Sequence, residues 1–415
     1  MHNPRAGRGR NSIRLRRYNE RLLLQALRRG GQASKADLAR ATGLTNTAVG
    51  TIIQALEEAG LIEFTGRRAE GQRGQPASLI RLNPKGAFAI GVRLDRDSIE
   101  TALLDFGGHI LARRVHHRVL PPPQEALAIV AADVDAVLAT LGDSERRRLT
   151  GIGVAQPYNL GAWLRELDMA EAHFHDWDDY DFAYELGEAS GLPVFSENDG
   201  NAAAIAELFH GCGQDRDDFL YIFLGPVIGC GIALDGDCLR GTQGNAGDIA
   251  VMPVPAGRLA SSPRPAGAWD LLLSRASLHA LARHLRHWGA AAESLDDLAE
   301  CVRQRHPAVE EWLDDCVDAL APVLRASLCL LDLPAVVVDA DIDAGLVDAL
   351  IQRLRRALAA NAPEARGVPE LVRGSFGSDA GAIGAASLPL FFNFSPRTEI
   401  LRRDAHRSEE MHHEQ

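Results

Sequence analysis

Two apolar helical stripes that meet at a single glycine constrain the first sixty residues more tightly than any other feature of this chain. Ser34-Lys35-Ala36-Asp37 sets a serine three residues before an aspartate. That is the spacing of a capping box, in which each side chain satisfies a backbone N–H at the helix start. A short helix over ADLARAT follows, with Leu38 and Ala39 facing inward, and Gly43 supplies the tight turn after it. A longer helix over about residues 45–59 carries Val49, Ile52, Ile53 and Leu56 along one face. Upstream, residues 18–30 place Leu22, Leu23, Leu24, Ala26 and Leu27 at helical spacing, with Gly30-Gly31 as the stop. Two helices joined by a short glycine-containing turn are the helix-turn-helix pattern, whose second helix enters a DNA major groove.

Residues 61–64 then alternate like a strand, a Gly/Arg-rich loop runs over 66–76, and a second strand over 77–82 closes a hairpin. This is a wing, and a winged helix-turn-helix over residues 18–83 is the expected first domain. Arg67, Arg68 and Arg73 are placed to meet phosphates or a narrow minor groove. The reading helix carries no Lys or Arg, so base readout falls to Asn46, which can pair bidentately with adenine, and to Thr45, Thr47 and Thr51. Lys35, the cation opening the preceding helix, joins this set. Residues 1–17, with Arg5, Arg8, Arg10, Arg14, Arg16 and Arg17, read as a disordered basic arm that adds affinity.

Charge separates this head from the rest. Residues 1–85 hold sixteen Lys and Arg against six Asp and Glu, a net of +10; the whole chain is −12, so the remainder carries −22. Only the head is expected to meet a polyanion, a double-stranded DNA operator. The six cysteines are scattered, with no C-x-x-C pair, which argues against a disulfide framework or a zinc knuckle. No apolar run approaches the ~20 residues of a membrane helix, and no apolar stretch adjoins the Arg-rich start as in a secretory signal. A cytoplasmic protein without membrane contact is expected.

Beyond Pro84-Lys85-Gly86 the pattern changes to alternating strands and helices. Strands are expected over 87–94 and 99–105, 152–155, 192–195 and 219–224, with helices over 125–141 and 201–209. Such alternation indicates α/β layers with sites at the C-terminal ends of strands. Three segments then carry a resemblance. Ser196-Glu197-Asn198-Asp199-Gly200-Asn201-Ala202-Ala203-Ala204 resembles the N-D-x-N-A-A-A motif of the ROK family (repressors, open reading frames, kinases). Residues 241–249, GTQGNAGDI, resemble its G-x-x-G-N-A-G-E-I segment, and residues 377–386, GSDAGAIGAA, its C-terminal D-A-G-x-x-G-A-A stretch. The resemblance implies a two-lobed, actin-like or sugar-kinase-like (ribonuclease H-like) ATPase fold. Its first lobe would span 86–205, completed by about 375–392, and its second 206–374, before a disordered tail over 393–415. It also implies that Asp199 stands at the position of the family's catalytic base, with Asn198, Asp248 and Asp270 binding sugar hydroxyls. Read from the residues alone, Asn198 and Asp199 also suit an Asx turn capping the next helix.

The departures bear on chemistry. Where the family has D-x-G-G-T, a turn whose N–H groups approach phosphates, this chain has Arg93-Leu94-Asp95-Arg96-Asp97. The second phosphate loop, G-T-G-x-G-G-G, reads Gly225-Pro226-Val227-Ile228-Gly229-Cys230-Gly231; Pro226 lacks an N–H and Val227 obstructs close backbone approach. Late nucleotide-side glycines are replaced by Asp339-Ala340-Asp341. The family's zinc ligands are missing too: Val251 stands for the histidine, and residues 253–268 contain no cysteine. No metal or other cofactor is therefore expected. The insertion EAHFHDWDDYD either covers the pocket, with Trp177 stacking on an apolar sugar face, or simply packs on the surface, the second being preferred.

The leading expectation is a DNA-binding regulator, a repressor of carbohydrate-related genes, controlled by a sugar or sugar-derivative effector and without kinase activity. A homodimer or homotetramer would pair its heads. A bifunctional sugar kinase and regulator, and a ligand-independent DNA-binding scaffold, stay open as alternatives.

Overall fold

A computed structural model describes residues 4–68, 77–164, 167, 169, 174–265, 267–360 and 367–401. The chain divides into two compact units, one of Met1–Phe88, Asp105–Gly107 and Leu390–Gln415, the other of Ala89–Leu104 and Gly108–Pro389.

In the first unit, α1 (Pro4–Gly30), α2 (Lys35–Thr42) and α3 (Asn46–Glu58) bury the stripes read from the sequence, among them Leu23, Leu27, Leu38, Val49, Ile52 and Leu56. The capping box is present: Ser34 Oγ accepts from Asp37 N–H, and the Asp37 carboxylate accepts from Ser34 N–H. Gly43 ends α2 at φ 68°, a left-handed conformation that costs glycine little. Thr45 caps α3 by accepting from Ala48 N–H. β2 (Ile62–Arg68) and β3 (Ala77–Leu82) form the antiparallel wing hairpin. An unforeseen strand, β1 (Gln32–Ser34), pairs with the other edge of β3. Three residues between a helix stop and a cap are too few to show alternation.

Both expectations of disorder need correction. From Pro4 onward the supposed arm is the first part of α1. Arginine is a good helix former, and Arg16 pairs with Glu20 one turn on, so the basic run lengthens the helix. The tail is ordered to Leu401. Arg21 donates to the carbonyls of Phe392 and Ser395, Arg397 lies over the Phe392 ring at 4.6 Å, and Thr398–Leu401 form a 3-10 turn. Counting mixed charges overlooked these aromatic and carbonyl partners. Residues 402–415 lie outside the described set.

The second unit holds two mixed five-stranded sheets. The first has the order β6-β5-β4-β7-β8, from β4 (Phe88–Asp95), β5 (Ser98–Asp105), β6 (Ile110–His117), β7 (Leu149–Gln156) and β8 (Val194–Asn198). α4 (Pro123–Leu138) and α5 (Asp143–Arg146) precede β7, α6 (Phe182–Ser190) precedes β8, and α7 (Asp199–Phe209) follows it. Next come β9 (Phe219–Leu224), β10 (Ile228–Leu234) and β11 (Asp237–Cys238), then a ladder of β12 (Pro253–Pro255) with β13 (Trp269–Leu271). Helices α8 (Leu278–His287), α9 (Leu295–Arg303) and α10 (Pro307–Leu331) lead to β14 (Ala335–Ala340), α11 (Ala344–Ala360), β15 (Glu370–Arg373) and α12 (Ala380–Phe394). The second sheet has the order β11-β10-β9-β14-β15, with β14 parallel to both neighbours. Every residue of β14 is buried, as a central parallel strand requires.

One close approach fixes where the site lies. A side chain on Gly200, in the first turn of α7, would strike the Cys230 carbonyl oxygen at 2.3 Å, so α7 and β10 meet backbone to backbone there. The end of β8 is thereby set beside the loop between β9 and β10.

Candidate functional site

β8 ends on Asn198 and α7 opens on Asp199, so both side chains sit at a strand-to-helix junction. Asn198 serves two purposes. Its Oδ1 accepts from Asn201 N–H at 2.7 Å and caps α7, while its Nδ2 donates to Asn245 Oδ1 at 3.4 Å. Asn245 Nδ2 in turn donates to Asp248 at 3.1 Å. Asp199 accepts from Gly200 N–H at 2.8 Å. Burial and the nearby Asp95 carboxylate raise its pKa, against the Gly200 bond and the charges of Arg93 and Arg96. Its carboxyl oxygens can accept hydrogen bonds from a hydroxyl.

Asn198, Asp199, Asn245 and Asp248 line one cavity of about 160 Å³, together with Arg96, Tyr158, Asn159, Trp163 and residues 227–230. Pockets for drug-sized ligands run from roughly 300 to 1,000 Å³, so this one suits a single sugar ring better than a nucleotide. Asp270 does not line it. It stands on β13 opposite Val254, buried, with Oδ1 accepting from Leu271 N–H. Trp177 is also elsewhere: its Nε1 donates to the Pro121 carbonyl and its ring packs on Phe182, the self-packing alternative. Asn245, Arg96 and Trp163 were not among the expected site residues. Asn245 lies within the segment that nominated Asp248, so its signal was at hand.

Beside the junction, Arg93, Asp95 and Asp341 gather the chain's own charges. Arg93 donates to Asp95 at 2.8 Å and lies so close over α12 that a side chain on Gly381 would meet its Cδ at 2.3 Å. Burial alone would lower the Arg93 pKa, but Asp95, Asp341, Glu100 and Asp199 outweigh it and hold the guanidinium charged. In the loop after β9, Gly225 N–H is turned onto the Val227 carbonyl, at 3.3 Å. Asp339 accepts from the N–H groups of Ala340 and Gly377, and its pKa is pushed up to about 6, chiefly by burial.

Arg275 is fully buried and bonded to Asp315, Asp318 and the Pro255 carbonyl. Among the described residues no group of three or more His, Cys, Asp or Glu is placed to hold a metal ion. The six cysteines are free thiols.

In the first unit, Lys35, Asn46, Thr47 and Thr51 are exposed at the start of α2 and along α3. Thr51 Oγ1 donates back to the Thr47 carbonyl, and Thr45 is committed to its cap. Asn46 and Thr47 lie exposed in the first turn of α3. Arg67 and Arg68 belong to β2, their backbones paired with Ser78 and Ala77, while Arg73 lies outside the described residues. No helix among the described residues is long and apolar enough to cross a membrane.

Comparison with known proteins agrees with this division. A winged helix-turn-helix DNA-binding model matches residues 16–63, and the ROK family model matches residues 89–390. The chain is 31% identical over 382 residues, 91% of each chain, to the uncharacterized protein y4fQ of Sinorhizobium fredii. It is 24% identical over 264 residues to the xylose repressor of Bacillus subtilis, covering 64% of this chain and 67% of that one. A solved ROK family transcriptional regulator, a homologue of the E. coli MLC protein, superimposes with a TM-score of 0.67 at 21% identity, over 94% of this chain and 99% of the other. With the family match extending over nearly the whole of the second unit, this chain belongs to the ROK family.

Proposed function

We propose that this protein is a DNA-binding transcriptional repressor of carbohydrate-related genes, controlled by a sugar-like ligand held by Asn198, Asp199 and Asp248, and that it does not phosphorylate that ligand. The carrying observation is the asymmetry of the junction. A cavity of sugar size lies beside Asp199, while Arg93 and its carboxylate partners gather where the resemblance would have phosphates bind. The likeness to a xylose repressor supports both the DNA target and the sugar class. Regulation requires the ligand to favour one arrangement of the two sheets over another, because equal affinity shifts nothing. In the cytoplasm a homodimer or homotetramer would present paired reading helices, and its symmetry would set half-site spacing.

The test is thermal unfolding of the full chain with xylose, glucose and amino sugars, beside Asp199→Ala. A sugar in hundredfold excess over its Kd adds about 2.7 kcal/mol, a rise of several degrees, which the variant should lack. The same sugar should change affinity for a duplex selected by the protein from a random pool. A rate of ATP turnover that depends on Asp199 would sink the non-kinase reading.

A further inference from the structure

The cavity has one wall that hydroxyl-binding residues do not explain. Trp163 adopts φ 64°, a left-handed conformation rare for a bulky aromatic side chain. Strain of this kind persists only where surroundings impose it, and it gathers at ligand clamps. Two sets of contacts impose it here. Arg96, 5% exposed and lying in the turn between β4 and β5, grips the preceding loop. Its Nε donates to the Leu160 carbonyl at 3.1 Å, and its Nη2 to those of Asn159 and Ala162 at 3.0 Å. From the other side, the half-buried indole packs against the core of the second sheet, the cluster that contains Leu224, Ile228 and Ile249. A loop that leaves β7 of the first sheet thus ends on the second, along the wall of the cavity that holds Asn198 and Asp199.

We infer that Trp163 is the contact through which this site senses its ligand: the indole receives the apolar C–H face of a pyranose ring, and Arg96 is the positioning residue that ties this contact to the first sheet. This rests on the reading of the cavity as a sugar site. An indole offers a large, rigid apolar surface at small entropic cost, and a ring sugar with hydroxyls in its plane offers a matching face. An acyclic polyol can bond Asn198 and Asp199 but has no continuous face to stack. The class of ligand is therefore a ring sugar, discriminated from the alditol of the same carbon chain.

The experiment titrates the full chain with xylose and glucose against xylitol and sorbitol, following thermal unfolding and tryptophan emission. The variants are Trp163→Phe, Trp163→Ala and Arg96→Gln, each first checked for an unchanged far-UV spectrum. Ring sugars should bind the unmodified chain about tenfold more tightly than alditols, and Trp163→Ala should erase that preference while Trp163→Phe keeps most of it. Addition of sugar should shift the emission of the unmodified chain, and Arg96→Gln should weaken or abolish the shift. Equal binding of ring and open-chain forms, or undiminished preference in Trp163→Ala, overturns the inference and leaves the sugar site standing. If none of the four compounds, and no amino sugar, binds the unmodified chain, the sugar-site reading fails and this inference with it.

Discussion

The two sides of the β8–α7 junction have taken opposite paths. On one side Asn198, Asp199, Asn245 and Asp248 form a short hydrogen-bonded series around an open cavity. On the other, Arg93 donates to Asp95 and, with Asp341 close by, makes the space a charged interior. A polar side chain that lines a cavity can exchange its partner for a ligand's hydroxyl at little cost. A buried ion pair is the reverse: once made, neither partner can be removed cheaply. The first side should thus respond to ligand, and the second to mutation and pH.

The largest effect that could break this contrast is at Arg93. Its side chain and that of Asp95 are 18% and 19% exposed. Replacing Arg93 with Ala leaves Asp95 and Asp341 without their cation and should cost about 3–5 kcal/mol in denaturant unfolding. A stable Arg93→Ala variant that gains ATP affinity would show instead that the space is a nucleotide site lightly blocked.

Asp339 gives a pH test of the same side. Its folded pKa of about 6 lies above the ordinary 3.8. The stability linked to its proton is fully present below about 3.8 and is lost as pH rises through about 6. The loss should reach about 3 kcal/mol across that window. Asp339→Asn should flatten this part of the pH–stability curve. A slope equal to that of the unmodified chain would place the titrating group elsewhere.

How much of this was legible in the sequence differed between the same regions. In the head, β1 and the start of α1 were not legible, whereas the helices were, because capping boxes, glycine stops and helical stripes are local signals that each name a position. Ser34, Gly43 and the stripe from Val49 to Leu56 show this. The departures from the resembled phosphate turns could be read in the sequence, but not where their charged side chains would lie. That Arg93 would lie over Gly381, 288 positions away in the chain, depends on β4 and α12 packing together. Trp163 and Arg96 escaped for a similar reason, since their contacts are to backbone carbonyls and a distant core. Asp270 shows the converse: the resemblance implied a sugar-binding residue, and β13 placed it away from the cavity.

The smallest effect is the one that separates the two purposes of Asn198. Asn198→Asp keeps an oxygen for Asn201 N–H, and aspartate is as good an N-cap as asparagine, so stability should change by no more than about 0.5 kcal/mol. The same change removes the amide that donates to Asn245, and brings a new charge close to Asp199 and Asp248. Ligand affinity should therefore fall at least as far as for a lost hydrogen bond to a charged group, about tenfold or more. Asn198→Ala loses both functions and should add about 1 kcal/mol of destabilisation to the same loss of affinity. If Asn198→Asp binds sugar as well as the unmodified chain, then Asn198 is a helix cap alone. Recognition on the open side would then fall to Asp199, Asn245 and Asp248.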